Sequence, residues 1–310
     1  MEQIVVKEIR SDEAYRKIML APADKKEDVY RYDFMKAFEK KWEMYHCPLK
    51  AKQEGGYDVV MASGMLGYLT PKSIDMSYEP MIDMLSDQTF WKKCKESIEK
   101  TLHCFEEHGI ELPVREYLFT VTLGDPESPY CKLCDNYSGD GGIPGYIFGS
   151  LVPSAYTLSR MPVALSHEAA HNVRFQFIKW SQDITLGEYI ICEGLAENFA
   201  TTMYGYDQVG PWVTKTSEET LNDYIKPLMK DALLVQGFDN ITAYMYGDEL
   251  ALMQNYIPAG MPYCAGYACG YHLVKYYLEK TGTDITDATI LPAQEILDAV
   301  PEFWEIKTTV

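Results

Sequence analysis

No stretch of the chain approaches the roughly 18 consecutive apolar residues that a membrane-spanning helix needs. Basic residues are also short: 28 Lys and Arg stand against 46 Asp and Glu, for a formal charge of -18 and a pI near 4.7. Nucleic acid and anionic membrane surfaces both require a basic face, so neither is expected as a partner. The first residues, Met1 to Glu8, show no basic segment leading into an apolar one. No signal peptide is read there, and a cytoplasmic protein is expected. Of the eight cysteines, Cys131 and Cys134 have zinc-knuckle spacing, but no second such pair completes a four-ligand site. They are read as a plain loop, and the thiols as reduced. Repeats and low-complexity tracts are absent. Disorder is excluded by what is present, since 47% of the residues are hydrophobic and 13% aromatic, enough for a sizeable core. At roughly 150 residues per domain, 310 residues make one large domain or two modest ones.

Apolar periodicity gives a coarse outline. Phe34, Phe38, Trp42 and Tyr45 share one face of a helix expected over 24–45. A break follows at Glu54-Gly55-Gly56, then a short strand over 57–62 and an irregular wrapping segment over 63–89. Trp91, Cys94, Ile98, Leu102 and Phe105 mark a helix over 90–108 that Gly109 stops. Strands are expected over 116–123 and 146–152, with a long loop between them over 125–142. Gly-Asp-Gly-Gly at 139–142 lacks the lysine and setting of a phosphate loop. From about 160 the pattern is helical. Pro162 fits the first turn of a helix running to about 180, and Thr185-Leu-Gly-Glu188 is a capping box opening a helix to about 204. Further helices are expected from Thr216 with a kink at Pro227, over 241–255, over 262–280 with Gly282 as the stop, and over 292–300.

The chemistry lies in Ser166-His167-Glu168-Ala-Ala-His171. Histidines at i and i+4 lie one turn apart on one helix face and can share a zinc ion through their ring nitrogens. A glutamate beside them can take a proton from water and pass it to a leaving amine. With six histidines in the chain, this pattern would arise by chance on the order of once in a hundred such chains. The competing reading is a pair of core histidines satisfied by hydrogen bonds. A two-histidine site needs a third protein ligand. Glu193, with 21 residues between it and His171, lies on the next expected helix, which a short turn would bring back toward the pair. Glu197 is one turn further on the same face, placed to accept the outward ring N–H of a ligand histidine. A solvated helix face is the alternative for both glutamates.

Together these residues resemble the zinc peptidases of the gluzincin type, which pair His-Glu-x-x-His with a glutamate ligand on the following helix, often within Glu-Gly-x-Ala. More narrowly the chain is similar to the YjaZ-like bacterial family of predicted zinc-dependent proteases. The likeness rests on the histidine motif, Arg174, Glu193-Gly-Leu-Ala-Glu197 and Gly266-Tyr267-Ala-Cys-Gly270-Tyr271, and spans roughly 95–300. It implies His167, His171 and Glu193 as ligands of one zinc per chain, Glu168 as the general base and Glu197 as an acid behind the ligands. In peptidases of this class a tyrosine or histidine commonly hydrogen-bonds the oxyanion. Tyr271 is the first candidate, with Tyr267 and His272 beside it; core packing is the alternative for all three. Arg174 would orient an acid or bind a substrate carboxylate, against a structural ion pair. Tyr146, Phe148 and Ser150 would line an edge strand that takes an extended peptide, against a plain interior strand. The implied fold is α+β and zincin-like. It has an extension over 1–90, a mixed lobe with a small sheet over 91–180, a helical lobe over 181–310 and an active-site cleft between the lobes. The expected function is peptide-bond hydrolysis on a peptide or protein substrate. A zinc-binding protein without catalysis, for stress or interaction, and a zinc hydrolase of a non-peptide amide are the alternatives.

Overall fold

The computed structural model describes residues 3–53 and 55–309. Met1, Glu2, Glu54 and Val310 lie outside them, and with them the first two positions of the leader analysis and the first residue of the break at 54–56. The architecture is α+β, with one four-stranded sheet and a helical C-terminal part. The chain divides into two compact units, residues 1–106 with 111–172 and residues 107–110 with 173–310. No helix among the described residues is long and apolar enough to cross a membrane.

The first unit is built on strands β1 (Val5–Glu8), β2 (Glu116–Leu123), β3 (Tyr137–Ile143) and β4 (Tyr146–Leu151), in the order β1-β2-β4-β3. β1 and β4 run parallel to β2, whereas β3 is antiparallel to β4. A largely parallel sheet must be covered on both faces, and both are covered here. On one face Phe148 packs on Phe38, Trp42 and Tyr68. On the other, Phe119 meets Trp91 of helix α2 (Gln88–Glu107), and the neighbouring Gly149 lies against Met161 and Leu165 of helix α3 (Ala155–Phe177). Helix α1 (Ser11–Leu20) is tied to β2 by Tyr15 Oη, which accepts from Leu123 N at 3.1 Å. The described residues before Gln88 therefore supply the sheet with an edge strand and with part of the layer covering one face.

Several local expectations need correction. Residues 57–62 do not form a strand: Asp58 accepts from the amides of Val60 and Met61 and caps a helix over Val59–Met65. A local cap outweighs the β-branched pair Val59-Val60. The stretch 24–45 is helical but uneven, passing through a wide π-type turn at Tyr30–Phe34 and a 3-10 turn at Met35–Phe38. Within the expected loop 125–142 lie a helical turn (Pro129–Leu133) and most of β3. Helix α3 starts at Ala155, so Pro162 is internal rather than first-turn. Its carbonyl accepts from Ser97 Oγ of α2.

In the second unit, helix α4 (Leu186–Tyr204) opens with the expected capping box and is buried on all sides over most of its length. It packs on helix α5 (Ala265–Thr281), which Gly282 ends in the left-handed conformation. The contact is backbone to backbone: a Cβ on Gly270 would overlap the carbonyl of Ile190, and one on Gly194 the carbonyl of Gly270. Asn198 Nδ2 crosses the same seam to Tyr271 O at 2.9 Å. The helix expected over 241–255 is two helices, Phe238–Tyr246 and Asp248–Met253, divided at Gly247.

Candidate metal centre

His167 and His171 stand one turn apart on α3, and both are buried. Their Nε2 atoms approach to 3.0 Å, with the ring planes at 74°. Two nitrogens bound tetrahedrally to one zinc at about 2.0–2.1 Å would lie roughly 3.3 Å apart. The observed pair is close to that spacing, and its chemistry suits zinc.

Glu168, between them in sequence, is turned toward β3. Its Oε2 accepts from Gly141 N at 2.7 Å. No larger residue fits this contact, because a Cβ on Gly141 would overlap the Glu168 carbonyl and one on Gly139 the Glu168 carboxyl group. The glycines expected only to make a loop thus bring a strand edge onto the motif. Asn172, directly after the second histidine, fixes the same hairpin. Its Oδ1 accepts from Gly145 N at 2.8 Å, and its Nδ2 lies 3.0, 2.8 and 2.9 Å from the carbonyls of Gly141, Ile143 and Tyr146. Asn172 was not singled out from the sequence, since one asparagine in a helix carries no signal of a hairpin folded beside it.

Glu193 is buried on α4. Three phenols lie in its field. Burial first, and then the Glu193 carboxylate, push Tyr267 and Tyr246 well above the usual phenol range. Burial, Tyr246 and Glu193 do the same to Tyr189. Tyr189 and Tyr246 share a hydrogen bond of 2.6 Å, and the Tyr246 and Tyr267 rings are 5.6 Å apart. Tyr189 and Tyr246 had no motif to betray them.

His167, His171 and Glu193 make up the group of His, Cys, Asp and Glu side chains, among the described residues, that could hold a metal ion. Each offers one ligand atom, and these atoms lie within 4.8 Å of one another. Cys131 and Cys134 are not part of such a group, and the Cys131 thiol donates to Gly67 O at 3.1 Å. Glu197 accepts from Gly210 N at 2.7 Å and Trp212 Nε1 at 2.9 Å.

A scan against family models matches residues 90–298 to the family described as "Predicted Zn-dependent protease (DUF2268)". The chain belongs to this family. The chain is similar to the uncharacterized protein YjfC of Bacillus subtilis (strain 168), 36% identical over 286 residues, or 92% of this chain and 94% of that protein. The uncharacterized protein YjaZ of the same organism is 29% identical over 138 residues, covering 44% of this chain and 49% of that one. No solved structure matches.

The remaining candidates of this DUF2268 chain sort differently from expectation. Tyr271, the first choice, has Thr201 as its hydroxyl partner and is pushed up by burial to about 12, whereas Tyr267 lies in the field of Glu193. His272 is buried, its Nε2 has no hydrogen-bond partner among the described residues, and burial with the nearby cations of Lys275 and Lys226 lowers it to about 4. A buried ring in that setting fits the core-packing alternative. Arg174 Nη1 donates to Thr289 O at 2.7 Å and Leu291 O at 2.9 Å, which pins main chain. β4 is interior, between β2 and β3, so its backbone cannot take up a peptide strand. Phe148 and Ser150 are buried within it and Tyr146 is half-buried, so the interior-strand alternative holds and strand addition at β4 does not. The edge belongs to β3.

Proposed function

We propose that the chain is a zinc peptidase of the gluzincin type, with His167, His171 and Glu193 as ligands and Glu168 as the general base. The observation that carries this reading is the convergence of two buried imidazole nitrogens and a buried carboxylate on one small volume. Membership of a family described as a predicted Zn-dependent protease supports it. Zinc, when bound, supplies Lewis acidity toward a carbonyl oxygen and makes water easier to deprotonate. Glu168 supplies the proton traffic. Oε2 is anchored on Gly141 N, and the carboxylate so positioned takes a proton from the attacking water and returns it to the leaving amine. Tyr267 replaces Tyr271 as the candidate oxyanion donor. Its raised pKa keeps the phenol protonated, and therefore a donor, at neutral pH. The substrate is a peptide or protein and the cofactor one zinc per chain.

The test is metal content and cleavage of a mixed peptide pool by wild type, Glu193→Ala and Glu168→Gln. About one zinc per wild-type chain is expected, with strong loss in Glu193→Ala. Glu168→Gln is expected to keep its zinc and lose at least about 100-fold in rate, the lower range for a general base. Full zinc in Glu193→Ala would remove Glu193 as a ligand, and a fully active Glu168→Gln would remove it as the base. Zinc without turnover on any peptide would favour a non-catalytic metal protein.

A further inference from the structure

The stretch that carries Gly141 is gripped from both faces of the sheet. β3 pairs regularly with β4 up to Asp140↔Phe148, then shifts register before Ile143↔Tyr146. Within that irregularity the Gly141 amide turns to Glu168, on the α3 side. The side chain of Asp140, one residue earlier, points to the opposite face. There Lys41 Nζ meets its Oδ2 at 2.5 Å, Tyr45 Oη donates to its Oδ1 at 2.9 Å, and Gly142 N donates to the same oxygen at 3.1 Å. Lys41 has no exposed side-chain surface. Its ammonium lies over the rings of Trp42, Tyr45 and Phe148 at 5.0, 4.2 and 4.7 Å. A buried ammonium is costly unless paired, so this ion pair has a stake in where Asp140 sits. Burial works against the Asp140 carboxylate, but Lys41 and the hydrogen bonds outweigh it and hold the carboxyl below its usual range.

We infer that Lys41 and Asp140 are a positioning pair for Glu168. They fix the irregular edge of β3 so that the Gly141 N–H meets the Glu168 carboxylate. The inference rests on the peptidase reading for its catalytic consequence but not for its geometry. Lys41 lies outside the residues 90–298 matched by the family model, so the N-terminal segment would reach the reaction through this contact.

The test substitutes Lys41→Met and follows two readouts on the zinc-loaded full chain. The first is hydrogen exchange of the Gly141 amide by NMR, with glycine labelled. At least about tenfold faster exchange is expected as the amide loses its fixed acceptor. The second is peptide cleavage: kcat should fall roughly 10- to 100-fold, as for a small misplacement of a reacting group, with KM within about twofold and zinc content unchanged. Lys41→Arg, which keeps the charge, should recover part of both. Should Lys41→Met fail to fold, Lys41→Met/Asp140→Asn leaves no unpaired buried charge and is read in the same way. Unchanged Gly141 exchange in a folded variant would overturn the inference, whatever the activity does. Faster exchange with unchanged kcat would overturn the link to catalysis. A wild type that cleaves nothing would sink the peptidase reading alone, because the exchange result would still decide the geometry.

Discussion

His272 offers a quantitative test of how the second unit is packed. The residue is 5% exposed, its Nε2 has no partner among the described residues, and burial with Lys275 and Lys226 nearby lowers its pKa from 6.5 to about 4. The sign follows from linkage. Between those two values the unfolded chain binds a proton that the folded chain refuses, so stability falls as pH falls through this window. The contribution is fully present above the unfolded value of about 6.5 and fully lost near 4. The whole window corresponds to about 3 kcal/mol, and about 2 kcal/mol of it is lost by pH 5. His272→Leu removes the titration and, at Nε2, forfeits no hydrogen bond. Urea unfolding of wild type and variant at pH 8 and pH 5, with chelator present so that metal release does not intrude, isolates the residue. Other acids titrate in both proteins and cancel. The stability of the variant relative to wild type should rise by about 2 kcal/mol on going to pH 5. Parallel behaviour of the two proteins would show that the ring protonates freely in the folded chain, and would return His272 to the list of groups that could act at a site.

Two further substitutions probe the helices behind the centre. Gly270→Ala gains helix propensity but drives a Cβ into the Ile190 carbonyl; backbone cannot swing aside, so a net loss of about 1–3 kcal/mol is expected. Calorimetry showing an unchanged or raised Tm would refute the close α4–α5 contact. Glu197→Leu strips the acceptor from Gly210 N and Trp212 Nε1. At about 1–3 kcal/mol for each of the two donors, and about 2.1 cal/mol/K of unfolding entropy per residue, Tm should fall by roughly 3–9 °C. Zinc content should match that of wild type, and its selective loss in a folded variant would make Glu197 a ligand.

Much of the fold could be read where local signals and tertiary packing agree. β2 is bounded where alternation placed it, the Thr185 capping box forms with both of its hydrogen bonds, and Gly282 ends α5. The misreadings share a cause. β3 reads Tyr-Ser-Gly-Asp-Gly-Gly-Ile, a composition of low strand propensity, and becomes a strand because β4 offers an open edge and α3 leaves no room for side chains at 139 and 141. Pro162 looked like a helix start because propensity says so. The helix nevertheless begins earlier, where Ser154 and Thr157 cap each other, Ser154 N donating to Thr157 Oγ1 at 3.0 Å and Thr157 N to Ser154 Oγ at 3.1 Å. In both places the deciding partner is distant in sequence or the cap lies upstream of the residue that drew attention.

The candidate centre divides along the same line. His167, Glu168, His171 and Glu193 were legible because helix periodicity alone brings i and i+4 together and a metal demands particular donors. What holds those donors in place was not legible. Asn172 acts through a hairpin beside it in space, and Lys41 through an aspartate 99 residues away. No periodicity encodes such pairs. The spacing of a motif can therefore name the candidate groups, while their orientation depends on contacts that only the folded chain brings together. In this protein the longest of those reaches runs from the N-terminal segment to the strand that touches the proposed base. Substitutions at Lys41 and Asp140 should for that reason move the rate while leaving the metal, and those at Glu193 should move the metal itself.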